Sequence, residues 1–190
     1  MHDEKPLRAD ALRNRQRVLE VAQEVFATEG LAVPIDEIAQ RAGVGVGTLY
    51  RHFPTKEALF AAVVLRRLED AVADAQARLG SRDPGAAFFG FVERLVMQGS
   101  AKKDLAEALG AMDPDSDFKA SLGEAKGALK VALGKLLARA QQAGAVRKDT
   151  TVADVFALVH GPFSSLGRDA DPEARARLLS IVCDGLRAKR

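Results

Sequence analysis

The sequence predicts an all-α protein: a small N-terminal unit of three helices, carried on a long fourth helix that joins it to a helical C-terminal half. Three observations predict this. Apolar residues recur at the three-to-four spacing of a helix face along most of the chain. Alanine and leucine dominate, and the alternating β-branched runs that sheets favour are absent. Glycine and proline fall between the periodic stretches, where they start or stop helices. A length of 190 residues permits one unit or two. An apolar fraction of 47% supports a core, and the 28% of charged residues mix signs too evenly for a disordered tail.

The first helix carries Val18, Ala22, Val25 and Phe26 on one face, widened by Leu19 and Val21, and Gly30 stops it. Pro34 has no amide hydrogen to lose in a first turn, so Pro34 to Ala42 reads as a short second helix ended by Gly43. A third short helix is expected from Val46 to His52, with Pro54 blocking its continuation. Thr55 is the expected N-cap of the long helix, which runs through Leu59, Val63, Val64, Leu68 and Val72 to the neighbourhood of Leu79. Gly80 to Gly85 is the strongest breaker in the chain. Beyond it, helical patterns cover Ala86 to Gln98, Lys103 to Leu109, Phe118 to Gln142, Val152 to Leu166 and Pro172 to Ala188.

Several classes are excluded at this level. The longest apolar runs, such as Ala61 to Leu65, fall far short of the roughly 20 residues a membrane span needs. The charged N-terminus lacks the apolar core of a signal peptide, so a cytoplasmic protein with no membrane partner is expected. The single cysteine, Cys183, can form neither an internal disulfide nor a cysteine cluster for zinc, and core packing is its expected role. A net charge of +2 is too small to argue for a nucleic-acid partner, so any such argument rests on placement. Arg8, Arg13, Arg15 and Arg17 gather ahead of the first apolar stripe, and Glu20, Glu24 and Glu29 follow them. A solvated helix face would explain that cluster equally well.

Placement becomes informative at Ile35, where the chain reads IDEIAQRAGVGVGTLYRHF. Ile38, Ala42, Val44 and Leu49 can share a small core, Ala39 stands where two helices would cross, and Gly43 occupies the turn, where a left-handed backbone costs glycine little. That spacing is the requirement of a helix-turn-helix, with the second helix projecting outward. In TLYRHFPTKEALF, Leu49 and Phe53 can face inward while Thr48, Tyr50, Arg51 and His52 offer polar groups outward. A short helix with so little core and so many hydrogen-bonding groups is better explained by phosphate contact than by packing.

These strings together, VFATEG, DEIAQRAGV and GTLYRHFPTKEAL, resemble the TetR family of bacterial transcription regulators over residues 9–71. The resemblance implies a helix-turn-helix DNA-binding domain over 9–71, with the motif itself at 34–53, and a helical effector-binding and dimerisation domain over 72–190. It implies a homodimeric repressor of double-stranded operator DNA. By position, Thr48, Tyr50 and Lys56 match family residues that hold backbone phosphates, and His52 matches one that reaches the backbone in some members. Val46 and Gly47 match positions that face bases, where Val46 can meet a thymine methyl and the glycines Gly45 and Gly47 allow close approach. Arg51 is a further base-reading candidate. Pro34 departs from the threonine that relatives often carry and brings no hydroxyl for a cap or a phosphate. Arg13, Arg15 and Arg17 are the candidates to compensate, because a guanidinium binds phosphate through charge and a planar fork.

In the second half, the resemblance implies an effector cavity and dimerisation through the last two helices. Phe88, Phe91, Leu95, Met112, Phe118, His160 and Phe163 are the candidate ligand-binding residues for a small apolar effector, with Phe89, Val92 and Met97 adding bulk. A packed core would use the same apolar residues. Val152, Val155, Phe156, Val159 and Phe163, with Leu178, Ile181, Val182 and Leu186, suit an interface or a core. No cofactor is implied beyond an effector of unknown identity, and no metal site. GVGVG lacks both the preceding strand and the lysine of a nucleotide loop. Catalysis by His160 with Asp154 or Cys183 has no supporting motif, so the chain reads as no enzyme. The alternative is a helical protein-interaction module that no longer reads DNA, motivated by the missing hydroxyl groups at Pro34 and Val46.

Overall fold

A computed structural model of the chain describes residues 4–98, 116–164 and 171–188. Within them it contains α1 (Glu4–Thr28), α2 (Ile35–Arg41), α3 (Val46–His52), α4 (Lys56–Arg78), α5 (Pro84–Gln98), α6 (Ser116–Gln142), α7 (Val152–Ser164) and α8 (Pro172–Leu186). There is no strand among the described residues beyond one isolated bridge, and no helix there is long and apolar enough to cross a membrane. The backbone divides into two compact units whose boundary falls at Arg67 and Leu68, inside the continuous helix α4.

The first unit follows from its apolar stripe. Val18, Leu19, Ala22, Val25 and Phe26 of α1 are buried, as are Ile38, Ala39 and Ala42 at the second helix and Leu49 and Phe53 at the third. Phe26 meets Phe60 of α4 edge to face at 5.6 Å between ring centroids. Gly30 and Gly43 end their helices at φ 85° and 64°, the left-handed region in which a side chain would be strained. Val44 is only half-buried, so the shared core is closed by Phe53 rather than by Val44. Helix α1 begins at Glu4, so the arginines that precede the apolar stripe stand on the same helix as the stripe.

The second unit packs Phe88, Phe91, Val92, Leu95 and Val96 of α5 against Leu129, Leu133, Leu136 and Leu137 of α6 and Val155 and Val159 of α7. Small residues Ala71 and Ala75 bring the end of α4 into the same core. Helix α5 starts two residues earlier than its apolar pattern suggests. Asp83 caps it through the Ala86 amide at 2.9 Å, and Pro84 suits the first helical position. Helix α7 opens on a reciprocal cap between Thr151 and Asp154. Helix α8 opens on Asp171, which accepts from the Glu173 amide. It closes at Leu186, short of Ala188, because the next residues pair with another segment. Arg147 N donates to Leu186 O at 3.0 Å and Ala188 N donates to Ala145 O at 3.2 Å. The Gln141 amide secures that segment from beneath by donating to the carbonyls of Arg147 and Thr150 at 3.0 and 2.9 Å. The expected helix at Lys103 to Leu109 lies outside the described residues.

Candidate nucleic-acid interface

Helix α3 is held from one side only. Leu49 is fully buried and Phe53 is 2% exposed, while Val46 and Tyr50, one turn apart on the opposite side, are each 41% exposed. Gly47 and Arg51 are exposed with them, and Thr48 and His52 are half-buried. No side chain caps the first turn of α3, whose N-cap is Gly45, nor that of α2, whose N-cap is Pro34. Both helices therefore present unmet backbone N–H groups to whatever lies outside. Lys56 opens α4 half-buried, and Thr55 caps that helix by accepting from the Ala58 amide at 3.1 Å.

The three arginines of α1 have different surroundings. Arg13 pairs with Asp10 on its own helix. Arg15 lies over the Phe53 ring, 5.4 Å from guanidinium carbon to centroid, at the C-terminal end of α3. Arg17 lies at the turn, where its Nη1 is 3.9 Å from the place a Cβ on Gly43 would take. Arg17 thus stands at the turn that leads into α3, and Arg15 at that helix's C-terminal end. Behind it, Arg41 of α2 grips Glu29, beyond the end of α1, and also Glu37 one turn back. The hydrogen bond from Arg41 holds the Glu29 carboxyl below its ordinary range, with the guanidinium charge adding to the effect.

Two residues absent from the sequence expectations stand beside the reading helix. Asp36 and Gln40 of α2, with Glu37, Val44, Gly45 and Val46, line an open groove of about 640 Å³. Asp36 also faces Tyr50. Partial burial and the nearby Asp36 charge push the Tyr50 phenol upward. The signal was present as an acidic pair in the first turn of α2, Asp36 exposed and Glu37 half-buried, but acids there are ordinarily explained by the helix dipole.

In the second unit, Phe88 and Phe91 are fully buried and Leu95 is 4% exposed, all within the packed core. Phe118 is half-buried on α6. Met112 lies outside the described residues, and so do the side chains of His160 and Phe163, whose backbone belongs to α7. Asp154 is occupied by Thr151, whose amide and hydroxyl donate to one carboxylate oxygen at 2.8 and 2.7 Å, and these bonds hold its carboxyl below the usual range. Cys183 is half-buried rather than a core residue, and burial pushes its thiol upward. On the outer faces, Ile181 of α8 is 67% exposed, and Ala153 and Ala157 lie exposed one turn apart on α7. Among the described residues no group of three side chains could hold a metal ion.

Comparison with known proteins places both halves. Residues 18–63 match the model of the tetR family of bacterial regulatory proteins. Residues 83–188 match that of the C-terminal domain of SbtR-like transcriptional regulators. The crystal structure of a TetR transcription regulatory protein from Mycobacterium vanbaalenii is 45% identical, over 96% of this chain and 100% of its own, at a TM-score of 0.78. That of a TetR transcriptional regulator from Streptomyces coelicolor is 34% identical, over 93% of this chain and 99% of its own, at 0.77. An HTH-type transcriptional regulator of Staphylococcus aureus is 44% identical over 63 residues, which make up 33% of this chain and 34% of that protein. The chain thus spans about a third of the length of the curated relatives it matches.

Proposed function

This chain belongs to the TetR family of bacterial regulatory proteins, and from that premise we propose that it is a cytoplasmic, sequence-specific DNA-binding transcriptional regulator. In this reading it is a homodimer that represses by holding a palindromic operator and releases it when a small apolar effector binds. The observation that carries the reading is the one-sided anchoring of α3. Leu49 and Phe53 tie it to the core, and Val46, Tyr50 and Arg51 are left exposed on its outer side. Tyr50, Thr48 and Lys56, joined by His52, hold phosphate, and Val46 with Gly47 and Arg51 approaches base edges in the major groove. Arg17 supplies a further phosphate contact, and Arg13 and Arg15 do so once Asp10 and the Phe53 ring release them. Two such heads about 34 Å apart would meet successive major grooves.

Dimerisation through α7 and α8 is supported by the exposed Ile181 and by the small outward residues Ala153 and Ala157, which permit close helix approach. Helix α4 is the proposed lever, because its 23 residues run unbroken across the boundary between the two units. An effector would act by preferring a dimer whose heads are spread away from groove spacing, and its effect cannot exceed its differential affinity for the two states. Phe88, Phe91, Leu95, Met112, Phe118, His160 and Phe163 remain the proposed ligand-contacting set, and no cofactor or catalytic step is needed.

The test is selection of operators from random duplex DNA by the full-length protein, followed by titration of the selected site over a range of salt. The expected result is a palindrome whose affinity falls steeply with salt while a scrambled duplex binds far more weakly. Flat, weak, sequence-independent binding would overturn the regulator in favour of a helical interaction module.

A further inference from the structure

A carboxylate on a DNA-reading surface needs a reason, because every phosphate it approaches repels it. Asp36 stands in the groove that Gly45 and Val46 line, at the start of the reading helix, and it faces Tyr50. It is exposed and, among the described residues, forms no ion pair with an arginine or lysine, unlike its neighbour Glu37, which Arg41 holds. We propose that Asp36 is a specificity-determining residue that accepts a hydrogen bond from the exocyclic amino group of a cytosine in the operator's major groove, next to the base that Val46 meets. The inference rests on the DNA-binding reading given above.

The base edges decide the choice. Guanine offers N7 and O6 and thymine offers O4, acceptors that repel a carboxylate. Adenine offers an amino donor flanked by the acceptor N7. Cytosine offers its N4 amino group with no acceptor beside it on that edge, so it is the base a carboxylate tolerates best. A guanine or thymine in that place leaves the carboxylate without a donor.

Operator selection with full-length wild type, Asp36→Ala and Asp36→Asn tests this, with thermal melting as a control for folding. Wild type should select cytosine at one position in each half-site, and replacing it by guanine or thymine should weaken binding about ten- to a hundredfold, the effect of a well-made base contact. Asp36→Ala should accept all four bases at that position and keep its preferences elsewhere. Asp36→Asn should move the preference to adenine, whose N6 and N7 suit a carboxamide. No merely structural role for Asp36 would produce that change of base. A palindrome selected identically by all three proteins overturns the role of Asp36 and leaves the regulator reading intact. A wild type that selects no palindrome overturns both.

Discussion

At the scale of single residues, the two sides of α3 were unequally visible in the sequence. Leu49 and Phe53 announce themselves by apolar spacing, and Gly43 by its place between two helices, and all three stand as that spacing requires. Asp36 was not visible, because its meaning depends on the groove it shares with Gly45 and Val46, neighbours across a turn rather than along one helix. Gly43→Ala should destabilise the protein by about 1–2 kcal/mol, since a Cβ at φ 64° meets its own backbone, although its nearest neighbour, Arg17 Nη1, stands at an ordinary contact distance of 3.9 Å. Urea unfolding reads this as a lower midpoint with an unchanged slope. Lys56→Ala should weaken operator binding and lower the salt slope by about 1, whereas Tyr50→Phe should weaken binding with the slope unchanged, because the phenol carries no charge to exchange for a counterion. Equal slopes in wild type and Lys56→Ala would remove Lys56 from the phosphate contacts.

At the scale of elements, helices were legible where an apolar stripe met a cap or a breaker. The third helix, Val46–His52, has the bounds its flanking residues predict. Bounds were illegible where they depend on partners distant in sequence. Helix α8 stops at Leu186 because Arg187 and Ala188 are drawn toward residues 145–147, which no local pattern could show. The junction of α1 and α2 has the same character, since Arg41 and Glu29 stand far apart in sequence. Their pairing gives a pH signature. Glu29 titrates below its ordinary value of 4.5 in the folded protein, so the fold binds fewer protons there than the unfolded chain. The stabilisation is therefore complete above that ordinary value and is lost as pH falls through the lower folded value. Arg41→Gln should return the Glu29 carboxyl to its ordinary range, which the pH dependence of its carbon NMR shift measures directly. An unmoved midpoint would show that the pair does not form in solution.

For the whole molecule, the resemblance sets the junction of the two domains at residues 71 and 72, and the composition changes only later, at Gly80 to Gly85. The backbone divides earlier, inside α4, because contact rather than composition decides it. The body's interior could not be apportioned from the sequence, since Phe88, Phe91 and Leu95 suit a cavity wall and a packed core alike, and they are packed in this structure. Assembly is tested on the outer face. Ile181→Glu should convert the dimer to a monomer in sedimentation and weaken operator binding at least a hundredfold without unfolding the chain, because Ile181 is 67% exposed. A dimer that survives that change would place the interface elsewhere. The short pairing of Arg187 and Ala188 with residues 145–147 bears on the chain's end as well. An exopeptidase that has trimmed the chain back to Ala188 goes no further until those two hydrogen bonds open. Resistance to carboxypeptidase digestion is thus a gauge of how tightly the last helix is shut, readable with neither DNA nor an effector in hand.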